Sequence, residues 1–124
     1  MGVENDIALR ALLEEATCAR LLEAAWQRAE ALCRVATGVA RLGAMYHARS
    51  LWEEAAVAAC AGERVAEAAD RHDCSVVLAQ IAIELARAGD LDAAMRVAGA
   101  IALGAKRDRA LGEVRALAKR AKRP

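Results

Sequence analysis

Two stretches of this chain can be laid over one another without a gap, and that self-similarity limits what the chain can fold into more than any other feature. Residues 31–55, ALCRVATGVARLGAMYHARSLWEEA, and residues 77–101, VLAQIAIELARAGDLDAAMRVAGAI, match at a constant offset of 46. Leu32, Val35, Ala36, Val39, Ala40, Arg41, Gly43, Ala48 and Ala55 fall over Leu78, Ile81, Ala82, Leu85, Ala86, Arg87, Gly89, Ala94 and Ile101. Apolar residues spaced three and four apart line one face of a helix, so each copy reads as helix, glycine turn, helix. RALGEVRALAKR repeats the first helix at an offset of 33, with Leu111, Val114 and Ala118 in the places of Leu78, Ile81 and Leu85. LLEEA at 12–16 matches LWEEA at 51–55, an offset of 39. The three offsets differ by six or seven residues, about two helical turns, which lengthens a helix while keeping its buried stripe nearly in phase.

Composition points the same way. Of 124 residues, 57% are hydrophobic and alanine dominates; the aromatics are Trp26, Tyr46 and Trp52, there is no Phe, and the one proline is Pro124. Strands favour β-branched and aromatic residues, whereas Ala, Leu, Glu and Arg favour helix. The chain therefore reads as one all-α domain over residues 1–124. Its helices are expected at about 4–22, 26–42, 45–71, 74–88, 91–103 and 107–121, the third running long or bending at Gly62. Gly43 and Gly89 stand where a left-handed C-cap needs a residue without a side chain. Asp73 and Asp90 are placed to cap the helices that follow. Short loops make sequential helices antiparallel, which predicts three stacked helical hairpins.

The order large, large, small, large in a first helix, then Gly, then Ala and two more apolar positions in a second, resembles the tetratricopeptide repeat. Leu78, Ile81, Ala82, Leu85, Ala94, Ala98 and Ile101 occupy that motif's Trp, Leu, Gly, Tyr, Ala, Phe and Ala places. Leu32, Val35, Ala36, Val39, Ala48, Trp52 and Ala55 do so in the earlier copy, and the likeness extends from about Leu12 to Ala118. The chain departs from the motif in its aliphatic residues at aromatic places, in lacking the closing Pro, and in Arg115 at a small-residue place. A generic α-solenoid and a plain six-helix bundle remain open beside this reading.

The resemblance implies a noncatalytic short α-solenoid, an adaptor or scaffold that binds a protein or peptide along a groove formed by the first helix of each pair. Carried over position by position, the groove comprises Cys33, Thr37 and Arg41, then Ala79, Ile83 and Arg87, then Ala116, Lys119 and Arg120. Arg41, Arg87 and Arg120 hold the same place in three successive helices, a row of guanidinium groups suited to gripping carboxylates of an acidic partner. Each could equally complement the C-terminus of its own helix.

Charge adds two further expectations. Residues 104–124 carry eight basic and two acidic residues, a net +6 within a chain of net +1, so the remainder is −5. This basic terminal helix and tail could bind nucleic acid or another copy of the chain, giving a homo-oligomer. Sparse aromatics argue against base stacking. Cys18, Cys33, Cys60 and Cys74 form no CxxC pair, and nothing at the N-terminus has the order of a signal peptide, which reads as reduced thiols in a cytoplasmic protein. No apolar run approaches the ~20 residues of a membrane span.

No constellation points to catalysis, a metal or a cofactor. RHDCS at 71–75 sets His72, Asp73 and Cys74 side by side, but adjacent residues at a helix start diverge, so Asp73 reads as a cap. Met45, Tyr46 and His47 read as packing at a turn, and the Glu14-Glu15 and Glu53-Glu54 pairs as a solvated face. Trp52 falls at a core position; Trp26, at a helix junction, is the anchor more open to a partner.

Overall fold

A computed structural model describes residues 2–65 and 67–122. Within them the protein is all helical, with six helices and no strand: α1 Val3–Ala19, α2 Ala25–Arg41, α3 Met45–Val65, α4 Ala68–Arg87, α5 Leu91–Gly99 and α6 Gly104–Ala121. Each packs against its successor, and α4 lies against α2 and α6 as well, so α4 is enclosed on most sides. That packing is compatible with a helical bundle.

The positions equated in the sequence are the positions that build the core. Leu32, Val35, Ala36, Val39, Ala48, Trp52 and Ala55 are buried, and so are Leu78, Ile81, Ala82, Leu85, Ala94, Ala98 and Ile101. Val114 of α6 is fully buried too, with Leu111 packed beside it. The small residues at 36 and 82 keep α2 and α4 free of bulk along this seam, and large ones on either side interlock.

Two turns follow the expectation closely. Gly43 and Gly89 have φ of +84° and +89°. The N–H of Gly43 reaches the Ala40 carbonyl at 2.9 Å and that of Ala44 the Val39 carbonyl at 3.3 Å; Gly89 and Asp90 repeat this with Ala86 and Leu85 at 3.1 and 3.0 Å. This is the paired bonding of a Schellman cap, which satisfies carbonyls that the helix end leaves open. Asp90 then caps α5, its carboxylate accepting from the Ala93 N–H at 3.3 Å.

The region between Ala59 and Asp73 corrects the sequence reading. The third helix does not continue to residue 71 but ends at Val65, and α4 begins at Ala68, six residues earlier than expected. Asp73 is therefore not a cap, and His72, Asp73 and Cys74 lie inside α4. The N-cap is Glu67, whose extended backbone (φ −65°, ψ 164°) breaks the helix without any side-chain cap bond. Residues 68–73, AADRHD, begin with two strong helix formers and carry Asp70 in the first turn, where a negative charge suits the helix dipole. α3 runs unbroken through Gly62. A Cβ at that position would stand 2.6 Å from Cys74 Sγ and 2.9 Å from the Ala25 Cβ, so the glycine lets α3 approach α4 and the start of α2. Two other helices end earlier than expected, α1 at Ala19 and α5 at Gly99, while α6 begins three residues earlier, at Gly104. Leu21, Leu22 and Leu103, in the connections, are exposed.

Candidate functional site: the groove between α3 and α5

The structure separates the nine residues expected to line a groove. Cys33 does not line one: it is 3% exposed and belongs to the core. α1, α3 and α4 all pack against α2, and position 33 falls on a covered side of it. Thr37 is half-buried and its hydroxyl is spent on its own helix, donating to the Cys33 carbonyl at 3.0 Å. Ala79 and Ile83 of α4 are half-buried; Arg41, Arg87, Ala116, Lys119 and Arg120 are exposed. The three arginines stand in the last turns of α2, α4 and α6. Arg87 is engaged on its own helix, its Nη1 donating to Glu84 Oε1 at 3.0 Å.

A concavity lies elsewhere, on the second helices. α3 and α5 both pack on α4 but have no extensive contact with each other, and the gap between them is a groove of about 470 Å³. Its floor is Leu85 of α4 with Ala56, Ala93 and Val97; Val57, Cys60 and Ala61 form the α3 wall and Ala100 the far end of the α5 wall. Val57 is 66% exposed, a large apolar side chain standing open at the rim. The α3 contribution, positions 49, 53, 56, 57, 60, 61 and 64, is a single helical stripe about 22 Å long at 1.5 Å per residue. Pockets of this volume with an apolar lining and a few polar groups at the edge are the usual form of a binding site. The sequence held a signal for it in the small residues at 56, 60, 61, 93 and 100, but a run of small residues equally marks close helix packing.

Charge is confined to the rim. Arg49 Nε lies 3.7 Å from Asp90 Oδ2 and Arg96 Nη2 lies 3.7 Å from Glu53 Oε1, so two ion pairs join α3 to α5, one at the α5 N-cap and one in its last turn. Both are exposed and long, and such pairs contribute about 1 kcal/mol or less. At the other end Arg64 forms no ion pair among the described residues. Cys60 sits beside it, its thiol pushed up by burial and by the Glu63 carboxylate, with Arg64 acting the other way. A thiol so held is protonated and a poor nucleophile.

Cys33 and Cys74 are placed alike, both buried. Burial, reinforced by the Glu84 carboxylate, pushes the Cys33 thiol up to about 12; the Trp52 indole acts against the rise. Cys74 is raised by burial and by Glu63. Cys18 is exposed, and all four thiols are free. Among the described residues, no group of three or more His, Cys, Asp or Glu could hold a metal ion. Tyr46 and His47 meet edge-on at 5.9 Å on the surface, at the start of α3.

Behind the groove, Glu63 fixes the last turns of α3. It is 6% exposed, accepts from the Ser75 hydroxyl of α4, and accepts from the Ala102 N–H in the turn between α5 and α6 at 3.1 Å. One buried carboxylate thus ties α3, α4 and that turn together. Of the Glu pairs, Glu54 is no free surface group. Arg20 clamps it through two bonds of 2.6 and 2.9 Å, joining the end of α1 to α3 and holding the Glu54 carboxyl below its ordinary range. Trp52 is fully buried and Trp26 half-buried.

No helix among the described residues is long and apolar enough to cross a membrane. Set against protein-family models, curated proteins and solved structures, the chain matches none of them.

Proposed function

We propose that this protein is a noncatalytic interaction module, a stack of helical hairpins that holds an amphipathic helix of a partner protein in the groove between α3 and α5. The observation that carries the reading is the groove itself: about 470 Å³ of apolar space between two helices, floored by a third and edged with charge. Helix-in-groove recognition seats large apolar side chains at i, i+3 or i+4 and i+7. Small residues at 56, 60, 61, 93 and 100 leave room for them. A stripe about 22 Å long matches a helix of roughly 15 residues. Arg64, unpaired at the open end, favours an acidic residue there. The order of neighbours, with α2, α4 and α6 in contact and α3 and α5 flanking them, supports the stacked-hairpin arrangement. Four free thiols support a reducing, cytoplasmic setting.

The test begins with selection from a displayed library of amphipathic helical peptides of about 15 residues, followed by anisotropy titration of the best binder. Val57→Glu with Ala61→Glu, both exposed positions, is expected to weaken binding at least tenfold. The triple variant Arg41→Ala, Arg87→Ala, Arg120→Ala is expected to leave it within about twofold. The reverse pattern moves the contact surface to the arginine row of α2, α4 and α6; an unselective, salt-dependent signal in every variant removes the module reading.

A further inference from the structure

The two outermost helices carry faces that the rest of the fold leaves open, and those faces are opposite in charge. α1 packs chiefly on α2, and only Ala16 and Ala19 of its 17 residues are buried. Along its free flank runs a shallow groove lined by Asp6, Leu9, Arg10, Leu13, Glu14 and Thr17. The helix holds four acidic residues and one basic, a net −3. α6 packs on α4 and α5, and only Ala110 and Val114 of its 18 residues are buried. Six basic residues against two acidic give it a net +4. Its open side is small at the centre: a Cβ built on Gly112 meets nothing within 4 Å, and Ala116 one turn on is exposed.

We infer that α1 of one molecule docks on α6 of a second copy of this chain. Leu9 and Leu13, half-buried along the flank of α1, supply the larger apolar side chains that Gly112 and Ala116 lack. Inside the molecule α1 already uses such a fit, since Leu12 lies over Gly38 of α2, within 3.2 Å of where a Cβ would be. Around this centre Asp6 and Glu14 meet Arg109 and Lys119, none of which forms an ion pair within its own molecule among the described residues. Complementary charge steers encounter and fixes register. A face about 26 Å long sets the contact near the lower size limit of specific interfaces, roughly 1,200 Å² or less, so association is concentration-dependent and salt-sensitive. The contact is heterologous, joining different patches, and generates closed rings or open chains. It does not involve the α3–α5 groove and stands or falls separately from it.

Sedimentation equilibrium over a concentration series tests the inference. At about 50 mM salt the weight-average mass is expected to rise well above the 13.1 kDa of one chain, and to return to it at about 500 mM. Asp6→Lys with Glu14→Lys, and separately Arg109→Glu with Lys119→Glu, are each expected to give monomers of unchanged circular dichroism. Mixing the two variants pairs each reversed face with its complement, and association is expected to return in the mixture only. A monomer at every concentration in low salt overturns the inference, as does self-association that survives both reversals. A monomer whose basic helix instead retains a labelled RNA or DNA oligonucleotide overturns it in favour of nucleic-acid binding.

Discussion

The helix pairs α2–α3 and α4–α5 are written in the same pattern and come out different. Their first helices are alike: Leu32, Val35, Ala36 and Val39 are buried, as are Leu78, Ile81, Ala82 and Leu85, and both helices end in the same glycine cap. Their second helices are not, for α3 has 21 residues and α5 has nine. Where α3 inserts Trp52, fully buried, α5 has Ala98. A tryptophan fills the space between its helix and the core, whereas an alanine brings a short helix in close. The long α3 passes beside the short α5 without extensive contact, and the groove is what remains between them. The difference teaches that a repeat fixes which face is buried, while the residues that vary within it decide where the surface opens.

The largest effect is expected at the residue that most distinguishes the two helix pairs. Trp52→Ala should cost about 3–5 kcal/mol in urea denaturation, by loss of transfer energy and by the cavity left behind. Trp52→Phe should cost far less, about 1–2 kcal/mol, because a phenyl ring keeps most of the packed volume and the indole N–H loses at most a weak interaction with the Cys33 thiol. If the two cost the same, the indole is not filling the space between α3 and the core.

Next come the anchors of the long helix, which have no counterpart in α5. Glu63→Ala leaves the Ser75 hydroxyl and the Ala102 N–H without their acceptor and should cost about 2–3 kcal/mol. Gly62→Ala forces a methyl against Cys74 and Ala25 and should cost about 1–3 kcal/mol. A stabilising Gly62→Ala, the usual result in an open helix, would show that α3 does not approach its neighbours there.

Cys33 sharpens the comparison through pH. Its position in the later copy is Ala79, half-buried and without a titratable group. Because the folded thiol titrates at about 12, above its ordinary 9.0, the folded state holds a proton that the unfolded state releases as pH rises past 9.0. The stabilisation is full below pH 9.0 and is lost on going up toward about 12. Cys33→Ala should flatten that part of the profile. At pH 8 a thiol reagent should modify Cys18 quickly and Cys33 and Cys74 only on unfolding.

The smallest effect belongs to the surface. Glu54→Gln breaks the two-bond clamp from Arg20, but both side chains are more than a third exposed, so the loss should be about 1 kcal/mol or less. Since the Glu54 carboxyl is held low, its contribution is present above its ordinary pKa of 4.5 and is lost as pH falls below that. The pH profiles of wild type and variant should therefore converge in acid.

The parts of the fold that were legible were those decided locally or by period. Gly43, Gly89 and Asp90 announced their caps through backbone chemistry, and the 46-residue offset placed the core on the faces where Leu32, Leu78 and their partners are buried. The α3–α4 boundary was not legible, because alanines and acids across 59–73 suit a helix throughout and Asp73 offered a plausible but unused cap. Gly62 looked like a breaker; its role, a close approach to Cys74 and Ala25, exists only once three helices are packed. Cys33 was placed in a groove because its register is right, yet the sequence does not say which sides of α2 are covered. The α3–α5 groove escaped for the same reason, since it depends on two helices not meeting.

Entry of a partner helix between α3 and α5, as proposed, is read out residue by residue in an amide chemical-shift titration of the labelled protein with the selected helical peptide. The largest saturable shifts are expected on residues 56–64 and 93–100, with the surroundings of Arg41, Arg87 and Arg120 unchanged. Shifts concentrated on α2, α4 and α6, with the groove silent, would contradict it.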